Sequence, residues 1–172
     1  AGTTTTVLSG TVPLAADGMY SLVAVGDNDN QPLALKALND MTAAPAAGSG
    51  KLRVGHLAPF ASDIEATKVD ICFDDGTPVA GLQDVPYDTV ADFLELPAGD
   101  YDLKITLADN SSCAQTALDL PEIRLGDGDI FDAFAIGKNN EAFPLQAATI
   151  LGIQFTSMVN VAHFAPFGTD QA

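Results

Sequence analysis

Along this chain the apolar residues come in short alternating or continuous runs, each cut off by Gly, Pro, Asp or Asn, and helical periodicity is almost absent. The pattern predicts strands at Lys51–Ala58, Lys68–Phe73, Val90–Leu96, Tyr101–Leu107 and Gln115–Leu120, and then at Ile130–Ile136, Phe143–Leu151 and Gln154–His163. Three more strand-like runs precede them, at Thr5–Leu14, Met19–Val25 and Pro32–Leu38. Asp74-Asp75-Gly76 reads as a hairpin turn, because Gly supplies positive φ without steric cost. Pro97-Ala98-Gly99-Asp100-Tyr101 reads as a second turn, whose Tyr enters the next strand with its ring inward and its hydroxyl on nearby backbone. Turns spaced by roughly 8 to 12 residues between such strands describe an all-β, antiparallel β-sandwich.

The pattern also repeats. Gly55-His56-Leu57-Ala58-Pro59-Phe60 returns as Ala162-His163-Phe164-Ala165-Pro166-Phe167, 107 positions later. Ser21-Leu22-Val23-Ala24-Val25-Gly26 returns as Asp132-Ala133-Phe134-Ala135-Ile136-Gly137, 111 positions later. Fixed-period similarity is the mark of a repeat architecture. Residues 1–42 are therefore expected to be the C-terminal part of a first sandwich repeat, and 51–153 a complete one. Residues 154–172 are expected to open a further repeat with its first strand. Residues 43–50, small and uncharged with Pro and Gly, read as a linker.

Charge narrows the partners. The chain has 23 acidic and 7 basic residues, a net charge of −16, and 19 of the acids are Asp, which favours turns over helices. Such a surface repels nucleic acid and anionic lipid. No run of apolar residues is long enough to span a bilayer, so no membrane insertion is expected. The start, Ala1-Gly2-Thr3-Thr4-Thr5-Thr6, lacks the basic and apolar regions of a signal peptide.

Several residues invite a chemical reading. His56 and His163, the two histidines, sit in the repeated His-x-Ala-Pro-Phe element, but no nucleophile or ligand cluster accompanies them. The structural reading is preferred: His closes a strand, Pro forbids its continuation, and Phe packs over the sandwich end. Asp27 and Asp29, and likewise Asp127 and Asp129, resemble calcium-loop donors. Neither stretch has the Gly and Glu of an EF-hand loop, and Lys138 replaces Asp27 in the second copy, so a solvated turn is the competing reading. Calcium is the one cofactor considered. Asn110-Ser111-Ser112 fits the N-glycosylation pattern. Cys72 and Cys113 are expected to form a disulfide in an exported chain, with two buried thiols as the alternative. The disulfide would stabilise by roughly 4 kcal/mol in the chain-entropy model.

An ordered series of motifs runs through the repeat: His56-Leu57-Ala58-Pro59, Val69-Asp70-Ile71, Gly76-Thr77-Pro78-Val79 and Val85-Pro86-Tyr87-Asp88-Thr89, then Leu96-Pro97-Ala98-Gly99-Asp100-Tyr101 and Ala135-Ile136-Gly137. With these the chain resembles the exported bacterial and archaeal sandwich domains known as domain of unknown function 4397. The resemblance implies a surface or matrix module of Ig-like sandwich type with no established activity, and so no catalytic residues to carry over. The cysteine pair and the incomplete outer repeats depart from the family's pattern.

These readings converge on an extracellular or cell-surface structural protein, not an enzyme, that self-associates into a head-to-tail homopolymer. Its assembly strands are expected around Thr5, Val7, Leu8 and Val12 at one end and Val159, Val161, His163 and Phe164 at the other. A compact monomer would instead point to closure within the chain, with 154–167 folding back on 5–38. A surface adhesion module binding carbohydrate or calcium is the second reading, though Trp is absent and stacking would fall to Tyr or Phe. A fragment of a longer tandem-repeat surface protein is the third.

Overall fold

A computed structural model describes residues 6–40, 42–108, 113–152 and 160–163 of the chain. These residues hold thirteen strands and one short 3-10 turn, Glu65–Thr67, with no α-helix among them. The first part contributes β1 (Tyr20–Val25) and β2 (Ala34–Asn39). Residues 49–152, the stretch expected to be the complete repeat and called so below, contribute β3 (Ser49–His56), β4 (Val69–Phe73), β5 (Thr89–Val90), β6 (Leu94–Pro97), β7 (Gly99–Tyr101) and β8 (Leu103–Leu107). They continue with β9 (Thr116–Asp119), β10 (Ile123–Leu125), β11 (Ile130–Ile136) and β12 (Gln146–Gly152), and β13 (Asn160–His163) follows.

One sheet of the complete repeat has the order β12-β11-β3-β5, with β6 also on β3, and faces a second sheet ordered β4-β8-β9. Leu52, Val54, Ala133 and Ala135 of the first sheet meet Val69, Ile71, Leu103 and Ile105 of the second in one core. β10 and β7 form a two-stranded ribbon at the side. Its buried Ile123 and Leu125 flank an exposed Arg124, the alternation of a half-buried strand.

Phe134, on the opposite face of β11 from Ala133 and Ala135, belongs to a second core with Val23, Val25, Leu38 and Leu57. The central sheet is thus covered on both faces. That is why β11, Ile-Phe-Asp-Ala-Phe-Ala-Ile, reads as a nearly continuous apolar run. The covering layer is a third sheet, ordered β13-β1-β2.

The all-β architecture of packed sheets agrees with the sequence reading, and the differences lie in pairing. β3 with β11 and β1 with β13 run parallel, whereas an antiparallel sandwich was expected throughout. Strands at opposite ends of a repeat are free of the short-turn constraint that makes neighbours antiparallel. The 43–50 linker is shorter than expected, because Ser49 and Gly50 open β3. It is also tied down: Lys51 Nζ donates to Thr42 Oγ1 at 2.9 Å and to the Ala43 carbonyl at 2.7 Å. The β1–β2 hairpin shares its core with the complete repeat, so residues before the linker do not pack as a separate unit.

The expected strand at Thr5–Leu14 is absent from the described residues 6–14, where Val7 is 64% exposed and Leu14 49%. By the 111-residue offset these residues match the stretch holding β9 and β10, which pair with β8 and β7. The first part carries the apolar pattern of β9 and β10, but no β7 or β8 precedes β1 within the described residues to pair with it.

Candidate functional site

The chemistry-bearing residues gather where the β13-β1-β2 layer meets the complete repeat. Equivalent residues of the two copies face one another there, Val23 and Val25 from one against Phe134 and Ile136 from the other. Polar contacts frame this apolar centre. Arg53 Nε and Nη2 grip Asp132 Oδ1 and Oδ2 at 2.7 and 2.8 Å. Arg53 also donates to Asp40 Oδ1 at 2.7 Å and to the Asn39 carbonyl at 2.9 Å, both in the hairpin. Its guanidinium lies 4.5 Å from the Phe93 ring centroid. Burial alone would lower the guanidinium, but the hydrogen bonds and charges of Asp132 and Asp40 hold it above its ordinary value. Burial also raises the Asp132 carboxyl above the usual carboxylate range, with the Arg53 hydrogen bonds and charge working to lower it. Nearby, the Ser21 hydroxyl donates to Asp40 Oδ2 at 2.8 Å.

The second contact lies at the loops that follow β1 and β11. Asp27 Oδ1 accepts the backbone N–H groups of Asp29, Asn30 and Gln31 at 3.1, 2.8 and 2.9 Å. The loop then donates Asn30 Nδ2 to the Pro59 carbonyl and Gln31 Nε2 to the Ala61 carbonyl, at 2.9 and 2.8 Å. Lys138 Nζ reaches across from the other copy, 3.2 Å from Asp27 Oδ2 and 2.7 Å from Asp29 Oδ2. Burial works to raise the Asp27 carboxyl, yet these N–H groups and the Lys138 ammonium hold it below its ordinary value. The third contact is Lys36 Nζ to Asp88 Oδ1 at 2.8 Å. Three of the chain's seven basic residues, Lys36, Arg53 and Lys138, thus serve this one junction.

His56 ends β3, as expected of the His-x-Ala-Pro-Phe element. The residue is 1% exposed. Nε2–H donates to the Thr67 carbonyl at 2.7 Å, so Nδ1 carries the bare lone pair, and no partner for it exists among the described residues. Phe60 packs against the imidazole at 5.6 Å between centroids. Burial pushes its pKa down to about 4, with the Thr67 hydrogen bond working weakly the other way. A neutral, immobilised imidazole in an apolar setting is a packing element.

The remaining candidates separate. Cys72 and Cys113 form the expected disulfide, with Cα atoms 6.1 Å apart. Tyr101 donates its hydroxyl to the Pro97 carbonyl at 2.7 Å, as a tyrosine closing that turn should. Asp127 Oδ1 accepts from Gly48 N–H, and Asp129 Oδ2 from Gly126 N–H, both at 2.8 Å. Among the described residues no group of three or more His, Cys, Asp or Glu side chains is placed to hold a metal ion. Asn110, Thr5, Val159 and Phe164 lie outside the described residues, and for Val161 and His163 the backbone pairing alone is described.

The Arg53 cluster was not anticipated, though a signal existed: Asp132 is the one charge in the otherwise apolar β11, and Arg53 stands between Leu52 and Val54 in β3. Such charges are buried only in pairs.

Residues 1–67 match the family model described as Domain of unknown function (DUF4397), which bears out the motif-based resemblance over the first partial repeat and the opening of the complete one. No curated protein matches the chain. Among solved structures, the chain is similar to the C-terminal domain of AlgF from P. aeruginosa at 17% identity and a TM-score of 0.44, covering 61% of this chain and 99% of that one.

Proposed function

We propose that this chain is a structural β-sandwich module of an extracellular or cell-surface assembly, joined head to tail by strand complementation. One observation carries the reading. β13 lies on β1 in parallel with Ala24 opposite His163, and β3 lies on β11 in parallel with Ala135 opposite His56. Residues 160–163 therefore pair with β1 in the register that β3 uses on β11. Within one chain this pairing closes the sheet. Made between chains, with residues 160–163 of one copy on β1 of the next, it is a heterologous contact that does not close and so propagates a filament. The Cys72–Cys113 disulfide supports an oxidising compartment. A net charge of −16 supports solubility and disfavours nucleic acid as a partner. A calcium reading has less support, since Asp27 and Asp29 already share the Lys138 ammonium.

The test mixes two single variants, Leu22→Cys and Val161→Cys, whose positions face each other across the β1–β13 pair. Under oxidising conditions at high protein concentration, exchange between chains yields a disulfide-linked heterodimer on a non-reducing gel. Unlinked chains that remain monomeric by light scattering would overturn the assembly reading.

A further inference from the structure

Gly26 and Gly137 occupy equivalent places at the ends of β1 and β11, and their loops turn alike. Their φ angles are +90° and +103°, and a Cβ on either would lie 2.1 Å from a backbone carbonyl oxygen, that of Pro32 or Pro144. The loops close the same way too: Asp27 N–H donates to the Gln31 carbonyl and Lys138 N–H to the Phe143 carbonyl. The residue after the glycine has opposite charge in the two copies, and the two charges meet. The Lys138 side chain is 9% exposed and that of Asp27 0%, so the contact is largely shielded from water. Asp29, which is 77% exposed, completes it from the rim.

We propose that this glycine-turn pair is a charge-coded contact by which neighbouring repeats select one another. A repeat with an acid after the turn glycine docks against one with lysine there. The surface around Lys138, Phe134 and Arg53 therefore fits a particular partner: a module of this same type whose loop carries Asp at that position. Two acidic loops would bury like charges with no cation between them, and two lysine loops would do the same with the opposite sign. Loop shape holds the two turns in register, and charge decides which copies are compatible. This selection stands apart from strand exchange and applies equally to repeats joined in one chain.

Native-state hydrogen exchange on the whole chain tests it. Exchange is followed at Val23 and Val25 of the docked hairpin and at Ile105 in the far sheet, for Lys138→Glu, Asp29→Lys, Lys138→Met and the double variant Asp29→Lys/Lys138→Glu. Lys138→Glu should speed exchange in β1 by about tenfold or more, and Asp29→Lys, acting from the exposed rim, by a smaller factor, both leaving Ile105 near wild type. The double swap should recover part of the protection, because the introduced lysine returns a cation to Asp27 and to the introduced glutamate from the rim, and Lys138→Met should loosen β1 less than Lys138→Glu. High salt should narrow the differences. If Lys138→Glu fails to fold, Asp29→Lys and Lys138→Met carry the same comparison. Wild-type exchange in the single charge variants, no recovery in the double swap, or equal loosening by Met and Glu would overturn the proposal.

Discussion

Two sheets of this molecule, β3-β11-β12 and β13-β1-β2, share strand order, direction and register, yet are stabilised differently. The first has cores on both faces. Its inner face meets β4-β8-β9, and its outer face meets the β1–β2 hairpin. The second has the same outward-facing apolar row, Val23 and Val25 at 0% and 2% exposure, but Leu22 and Ala24 on its other face are only half-buried. The register pairs also differ in chemistry. Asp132 opposite Arg53 is a buried ion pair, whereas the equivalent pair is Ser21 opposite Asn160. The same backbone arrangement can thus be held by a full sandwich or largely by docking onto a neighbour. In the second case the junction carries the stability.

The largest effect should come from the centre of the junction core. Phe134→Ala removes a side chain 1% exposed from the junction. It should cost about 3–5 kcal/mol of unfolding free energy by denaturant titration. Hydrogen exchange should rise more in β1 than in β8. Uniform loosening would mean that the hairpin is not the weaker partner.

The disulfide lies wholly in the complete repeat, closing a 41-residue separation. Cys72→Ala/Cys113→Ala should lower stability by about 4 kcal/mol. The β1–β2 layer should loosen only as its support unfolds, so both layers should melt together by circular dichroism and hydrogen exchange.

His56 gives the comparison a pH handle. The unfolded chain takes up a proton near the ordinary value of 6.5, while the folded chain resists until about 4. Its contribution is therefore fully present above pH 6.5 and is lost as the pH falls from 6.5 toward 4. The span is worth about 3 kcal/mol. Asp27 and Asp75, held below their ordinary values, lose their contributions only at still lower pH. Melting curves of wild type and His56→Leu should converge as the pH drops through this window. A constant offset between them would remove the titration from the account.

Lys36→Ala should have the smallest effect. It breaks the pair with Asp88, whose side chains are 28% and 48% exposed, and should cost under about 1 kcal/mol in a double-variant cycle with Asp88→Ala. A larger coupling would show that the rim as well as the centre holds the hairpin.

Much of the fold was legible in the sequence. Ile130–Ile136 was readable to the residue because β-prone apolar residues fill it and a glycine turn ends it. The cysteine pair and the turn-closing Tyr101 were readable because their chemistry is local or nearly unique. Parallel pairing was not, since register between strands about 80 residues apart depends on tertiary packing. β10 was missed because three residues with a central Arg are too short for periodicity to register. The Thr5–Leu14 prediction failed for the opposite reason: β-prone composition makes a strand only where an edge accepts it. The Lys138–Asp27 contact left a readable trace, opposite charges at equivalent positions of two copies, but one that bears on calcium as readily as on docking.

The central claim is that residues 160–163 complete the first repeat's sheet in the register β3 uses on β11. The double variant Leu22→Cys/Val161→Cys tests it in the dilute monomer, with Leu22→Cys/Ala162→Cys as the control displaced by one residue. Peptide mapping by mass spectrometry should find the 22–161 cross-link in the first variant and none in the second. A cross-link in the displaced variant alone, or in neither, would contradict the account.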